Sequence, residues 1–197
     1  MKSLTLLFTT FLLFLAPISS FGSAVQDQVH LHSIRADFVQ EKHLRILAKP
    51  IVSTGIFAFQ APRSLRWEYL VPIPSILLMH DGKLSKFVKT DGRFIEDQGI
   101  GLDAMQFMLG EISNWLDGRF TDNEMFVASF PDKQTILLEP REQSLAGLIS
   151  RIELRLADQK GVLNSITIYE GSDSYTRMTF NNAVINKIIP SALFIQK

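Results

Sequence analysis

The sequence predicts a mainly β (α+β) fold: one wide, strongly bent antiparallel sheet whose concave face is covered by a few helices. Three observations predict it. Runs of period-two alternation recur from about Phe38 to Phe180. Asp81-Gly82 and Asp91-Gly92 each sit between two such runs, which is a strong hairpin signal. Only one long stretch, from Asp103 to Gly118, has helical spacing. A sheet this wide has to curl or close, and the helices are too few to cover a flat one on both faces.

The N-terminus reads as an export signal. Lys2 is a short positive region, and Leu4 to Leu15 is an uncharged apolar run. Pro17 breaks that run, and Ser19, Ser20, Gly22, Ser23 and Ala24 supply small residues for cleavage. The run is shorter than the roughly 20 residues a membrane-spanning helix needs. Residues 1–24 are therefore expected to be a cleaved signal peptide, and 25–197 a single domain. The chain has no Cys, so neither a lipid attached after the signal nor a disulfide is expected. Both readings place it as a soluble protein of the periplasm. It is 46% hydrophobic and 20% charged with zero formal net charge. That suits one domain with a sizeable core and gives no global field for nucleic acid.

In chain order, Val25 to about Ile34 has helical spacing and runs into a strand near Phe38 to Leu44. The period then becomes two. "TGIFAFQ" puts Gly55, Phe57 and Phe59 on one face. "SLRWEYL" puts Leu65, Trp67 and Tyr69 on one face and Arg66 and Glu68 on the other, with prolines at both ends of the strand. "SILLMH", "KLSKFVK" and "RFIED" follow across the two Asp-Gly turns. Asp103 caps the long helix, with Gln106 three residues on. Met105, Met108, Leu109, Ile112, Trp115 and Leu116 form its apolar face, and Gly118 ends it. "EMFVASF" and "TILLE" are two more strands, and Ser144 to Ile149 is a weaker helical stretch. In "RIELRL", Ile152, Leu154 and Leu156 alternate with Arg151, Glu153 and Arg155, as in a half-buried strand. "SITIYE" and "YTRMTF" close the series.

Signals for catalysis are weak. The four histidines are His30, His32, His43 and His80. His30 and His32, two apart in a helical reading, do not share a face. The chain has no H-E-x-x-H, P-loop or G-x-S-x-G motif. Gly99 and Gly101 read as a hinge before the long helix. What stands out is soft apolar bulk: 15 Phe and 6 Met. Such side chains fill an ordinary core, and they also adapt to ligands of variable shape. A curved sheet under apolar helices can enclose a cavity as readily as a solid core.

"FVQEKHL", "TGIFAFQAP", "LRWEY" and "LLMHDGK", in this order, resemble the periplasmic outer-membrane lipoprotein carrier family, LolA and its relatives. The matching positions are Phe38 and Gln40, Gly55 and Phe57, Pro62, Leu65 to Tyr69, Pro72 or Pro74, and Asp81 to Lys83. The resemblance implies an incomplete antiparallel β-barrel with a lid of helices. Between them would lie the acyl chains of a lipoprotein, passed from an inner-membrane ABC-type donor to an outer-membrane acceptor. The cavity would be lined by Phe57, Phe59, Leu65, Trp67 and Tyr69, by Met105, Met108, Leu109, Ile112 and Trp115 of the lid, and by Ile152 and Leu154. In well-known members an Arg before the family proline latches the lid. Ala61 precedes Pro62 here, and Arg63 and Arg66 are the nearest substitutes. This departure marks a divergent relative, whose cargo is a lipoprotein or another lipid such as a glycolipid.

Three functions compete. The first is a monomeric lipid carrier without catalysis, cofactor or metal. The second is an envelope sensor on the same fold that binds a membrane-anchored regulator. That one ranks lower, because such sensors usually carry a second domain. The third is a lipid-modifying enzyme, which needs grouped polar residues that the sequence does not offer.

Overall fold

Asp91-Gly92 is a hairpin turn, and His80 pairs with Lys83 on either side of the first Asp-Gly, in the structure, a computed structural model. It describes residues 31–97, 110–112, 114–115, 119–120, 124–159 and 162–195, apart from residues 63, 82 and 172. At the second turn Asp91 and Gly92 both have positive φ, 51° and 79°. That conformation matches the right-handed twist of the flanking strands, and Asp-Gly supplies it at little cost.

The described residues hold eleven strands: β1 (Ser33–His43), β2 (Ile51–Gln60), β3 (Ser64–Val71), β4 (Ser75–His80), β5 (Lys83–Thr90), β6 (Arg93–Glu96), β7 (Phe126–Ser129), β8 (Thr135–Pro140), β9 (Arg151–Leu156), β10 (Leu163–Glu170) and β11 (Ser174–Ile185). All belong to one antiparallel sheet, ordered β6-β5-β4-β3-β2-β1-β11-β10-β9-β8-β7. The first and last long strands pair at the centre, Phe38 opposite Phe180, and each half then meanders outward. A short helix, α1 (Gln143–Ala146), lies between β8 and β9, and a 3₁₀ turn, Ser191–Phe194, ends the described chain. Residues 110–112, 114 and 115 are helical. Among the described residues no helix is long and apolar enough to cross a membrane.

Two expectations shift. Ser33 and Ile34 belong to β1 and are not the end of a helix. The Leu31/Ile34 spacing that suggested a helix arises because Leu31 and Ile34 are both buried as the chain enters the sheet. The weak helix expected at Ser144 to Ile149 is real but shorter and one residue earlier, because Gly147 ends it.

The sheet carries its main core on one face. Phe57, Leu65, Trp67 and Met79 belong to it, as do Ile136, Leu138, Ile152 and Leu154 from the other half. The opposite face is covered over β2 to β4 by the chain after β11. There Ile189 and Phe194 pack on Ala58. Arg66 crosses beneath, giving Nε–H to Glu68 Oε2 at 2.8 Å and Nη1–H to the Leu193 carbonyl at 3.0 Å. Farther out, Ile76, Leu78 and Phe87 form a third cluster on this outer face. Strand β4 is thus covered on both sides, which is why "SILLMH" reads as a continuous apolar run.

Candidate functional site

Gly55 makes room for the centre of the core face. It sits opposite Phe38 on β1 and Tyr69 on β3. A Cβ there would run into the Glu68 carbonyl oxygen and come within 2.7 Å of the Phe38 ring. Without it, Phe38 lies over β2 and meets Trp67 and Tyr69 edge-on at 5.4 and 5.1 Å between centroids. Phe57 meets Trp67 at 5.3 Å and Phe180 at 5.8 Å in the same manner. Edge-to-face pairs of this kind contribute about 0.5–1.5 kcal/mol each beyond the area they bury.

Cross-strand rows extend the apolar face from this centre. One row runs Ile34, Phe59, Leu65, Met79, Leu84 from β1 to β5. In the other half, Ile168, Ile152 and Leu138 form one row and Ile166, Leu154 and Ile136 another. Ile112 and Trp115, three apart on the helical segment, are both buried in the same cluster. The structure therefore brings Phe57, Phe59, Leu65, Trp67, Ile152, Leu154, Ile112 and Trp115 into one cluster, with Tyr69 packed at its border. Met105, Met108, Leu109 and Arg63 lie outside the described residues. The bonds of Arg66 to Glu68 and Leu193 tie the C-terminal segment to β3, a role the sequence did not suggest.

Sequence reasoning missed several members. Phe38 and Phe180 complete the aromatic centre, and Met178, Ile136 and Leu138 join the cluster. The signal was present: Met178 and Phe180 alternate within "YTRMTF", as Ile136 and Leu138 do within "TILLE".

Polar groups on this face are few. Tyr69 donates its hydroxyl to Gln40 Oε1 at 2.8 Å. Burial pushes its phenol up to about 12, opposed in part by the Trp67 indole nearby. That indole approaches the phenol without meeting hydrogen-bond geometry. The Nε1–H groups of Trp67 and Trp115 are buried with no acceptor among the described residues. Leaving a buried donor unsatisfied costs about 1–3 kcal/mol, so a second partner for these two groups is chemically favoured. The three described histidines play no part here. The His32 amide is held by Asn186 Oδ1 in an irregular segment, His43 stacks on Tyr175, and His80 bonds the Ser64 hydroxyl. Among the described residues no three His, Cys, Asp or Glu side chains gather as a metal site would need.

Comparison with known proteins follows the same direction. The chain is 26% identical over 193 residues to an outer-membrane lipoprotein carrier protein of Dechloromonas aromatica (strain RCB), covering 91% of this chain and 86% of that one. Among solved structures, it resembles a LolA superfamily protein of Nitrosomonas europaea at 9% identity and a TM-score of 0.40, covering 85% of this chain and 91% of that one. It also resembles the MucA/MucB complex of Pseudomonas aeruginosa at 16% identity and a TM-score of 0.41, covering 82% of this chain and 54% of that chain. The family described as outer membrane lipoprotein carrier protein LolA matches residues 29–197, a span that contains every residue the structure describes, and the chain belongs to that family.

Proposed function

We propose that this protein is a periplasmic carrier that holds the acyl chains of a lipoprotein or another lipid on the core face of its sheet and moves them from the inner to the outer membrane. In this reading the sheet is an incomplete barrel and the segment around Ile112 and Trp115 is part of a lid. Residues 1–24 are the cleaved signal, and the protein binds without catalysing. A donor in the inner membrane and an acceptor in the outer membrane complete the route.

One observation carries the reading. Two indole N–H groups are buried without acceptors among the described residues, in a face that is otherwise aliphatic and aromatic. An acyl chain supplies what both features lack: methylenes for the apolar surface and an ester or amide carbonyl for a donor. Burying each methylene is worth about 0.8 kcal/mol. A sixteen-carbon chain thus gains on the order of 10 kcal/mol, so release into water is slow and transfer needs direct contact.

The test is mass spectrometry of lipids extracted from the protein purified from its own periplasm. An acylated molecule at near one-to-one stoichiometry is expected. Protein that is lipid-free as isolated, and that takes up no fluorescent fatty acid when challenged, would end the reading.

A further inference from the structure

One corner of the sheet is apolar where it meets solvent. Strand β2 begins at Ile51, before its pairing with β3 starts at Thr54 opposite Val71. The β1–β2 hairpin therefore extends past the end of β3, and its tip lies at the same end of the sheet as the β3–β4 turn. Ile46 at the tip is 86% exposed and Ile73 in the turn is 64% exposed. Leu47, Ile51, Val52, Leu70 and Val71 are exposed beside them. Half of the exposed large hydrophobic side chains among the described residues fall on this corner. Scattered exposed aliphatics are normal, whereas a concentration of them marks a surface that docks.

The charge pattern selects the partner. Across residues 44–54 and 70–75 the charged residues are Arg45 and Lys49, with no Asp or Glu. These two cations flank the exposed Ile46 and Leu47. Arg45 has Asp173 at 3.8 Å, but the two side chains are 78% and 54% exposed, so the pair is weak and readily exchanged. Aliphatic tips flanked by long cationic stems suit the boundary of an anionic bilayer. There the aliphatics enter the acyl region and the cations reach lipid phosphates. The corner is built from a hairpin tip and a turn, with no Trp, Tyr or Phe in either segment.

We propose that the β1–β2 tip and the β3–β4 turn form a docking surface for anionic phospholipid bilayers. It positions the end of the sheet against a membrane. This rests on the chemistry of the corner and goes beyond the reading of the core face as an acyl-chain carrier.

The experiment is flotation of the full chain with vesicles of phosphatidylethanolamine and phosphatidylglycerol, compared with pure phosphatidylcholine vesicles. Co-flotation with the anionic vesicles is expected, falling at least severalfold in phosphatidylcholine or in high salt. The double variant Ile46→Asp, Ile73→Asp should lose tenfold or more in partitioning. Its thermal midpoint should stay unchanged, because both side chains are already exposed. Arg45→Glu with Lys49→Glu should lose the preference for anionic lipid. Trp67→Phe, on the core face, should float as the parent does, so loss of lipid uptake and loss of docking are separately visible. Absence of flotation with anionic vesicles at low salt overturns the proposal. Flotation indifferent to the Ile46→Asp, Ile73→Asp change overturns it equally, as would saturable binding that needs a protein in the vesicle.

Discussion

The two faces of β3 differ in how completely they are satisfied. On the outer face, Arg66 is buried yet bonded to Glu68 and to the Leu193 carbonyl, and the C-terminal segment packs Phe194 and Ile189 around it. On the core face, Trp67 lies among aromatic rings, and its indole N–H has no acceptor among the described residues. Both sides of the strand are buried, and they differ in whether the polar group has a partner among the described residues. A polar group in a purely structural region finds its partner within the chain, because leaving it unpaired has a cost that packing does not recover. A region that meets a ligand can leave donors for that ligand to satisfy. This contrast supports the proposal that Arg66 serves stability and Trp67 serves binding.

Substitutions on the two faces test this division. The largest effect belongs to Gly55, on which the geometry of the core face depends. Gly55→Ala forces a Cβ against the Glu68 carbonyl and the Phe38 ring. One of these is backbone and cannot swing aside, so a loss of about 3 kcal/mol or more in urea unfolding is expected. A variant as stable as the parent would mean that β2 and β3 separate easily there.

Arg66→Ala comes next. It removes the bond to Leu193 and strands a partly buried Glu68 carboxylate, at about 2 kcal/mol. Its signature is local: amides of residues 188–195 should exchange faster with solvent, while those of Ile152 to Leu156 keep their protection. Uniform loss of protection would show that the C-terminal segment is part of the global folding unit.

Trp67→Phe should separate stability from binding. The ring contacts are largely kept, so about 1 kcal/mol of stability is lost. The donor is removed, and affinity for a fluorescent acyl ester should fall several times more than affinity for a plain alkane probe. Equal losses for both probes would assign Trp67 to packing alone.

Alternation made most of this comparison legible in the sequence. "SLRWEYL" assigns Leu65, Trp67 and Tyr69 to one face and Arg66 and Glu68 to the other, and the structure agrees. Alternation does not say what covers a face. Arg66 was read as facing outward, and it does, but beneath a C-terminal segment that packs from over a hundred residues away. That contact has no local signal, because "KIIPSALF" is as apolar as any strand. Phe38 and Phe180 have no local signal for a related reason: nothing in either strand alone singles them out. Their meeting depends on β1 pairing with β11, a long-range choice that period and propensity leave open. The exposed corner escaped because "LRILAKPIVS" invites burial, and only the lengths of β2 and β3 show that it protrudes.

Tyr69 lies at the border of the core face and gives the smallest effect. Its hydroxyl bonds Gln40, so Tyr69→Phe should cost about 1 kcal/mol at neutral pH. Alkali reverses the order of the two proteins. The phenol ionises near 10 in the unfolded chain and about 12 in the folded one. Between those values the unfolded chain has released a proton that the folded protein still holds. Stability from this group is therefore complete below pH 10 and declines as the pH rises toward 12. The full span is worth about 3 kcal/mol, and the Phe variant has no such decline. Lysine titration affects both proteins alike, so the difference between their unfolding free energies isolates Tyr69. That difference should be about 1 kcal/mol in favour of Tyr at pH 8, vanish near pH 11 and change sign above it. A constant difference across the range would mean that water reaches the phenol and that the core face is open at its border even without ligand.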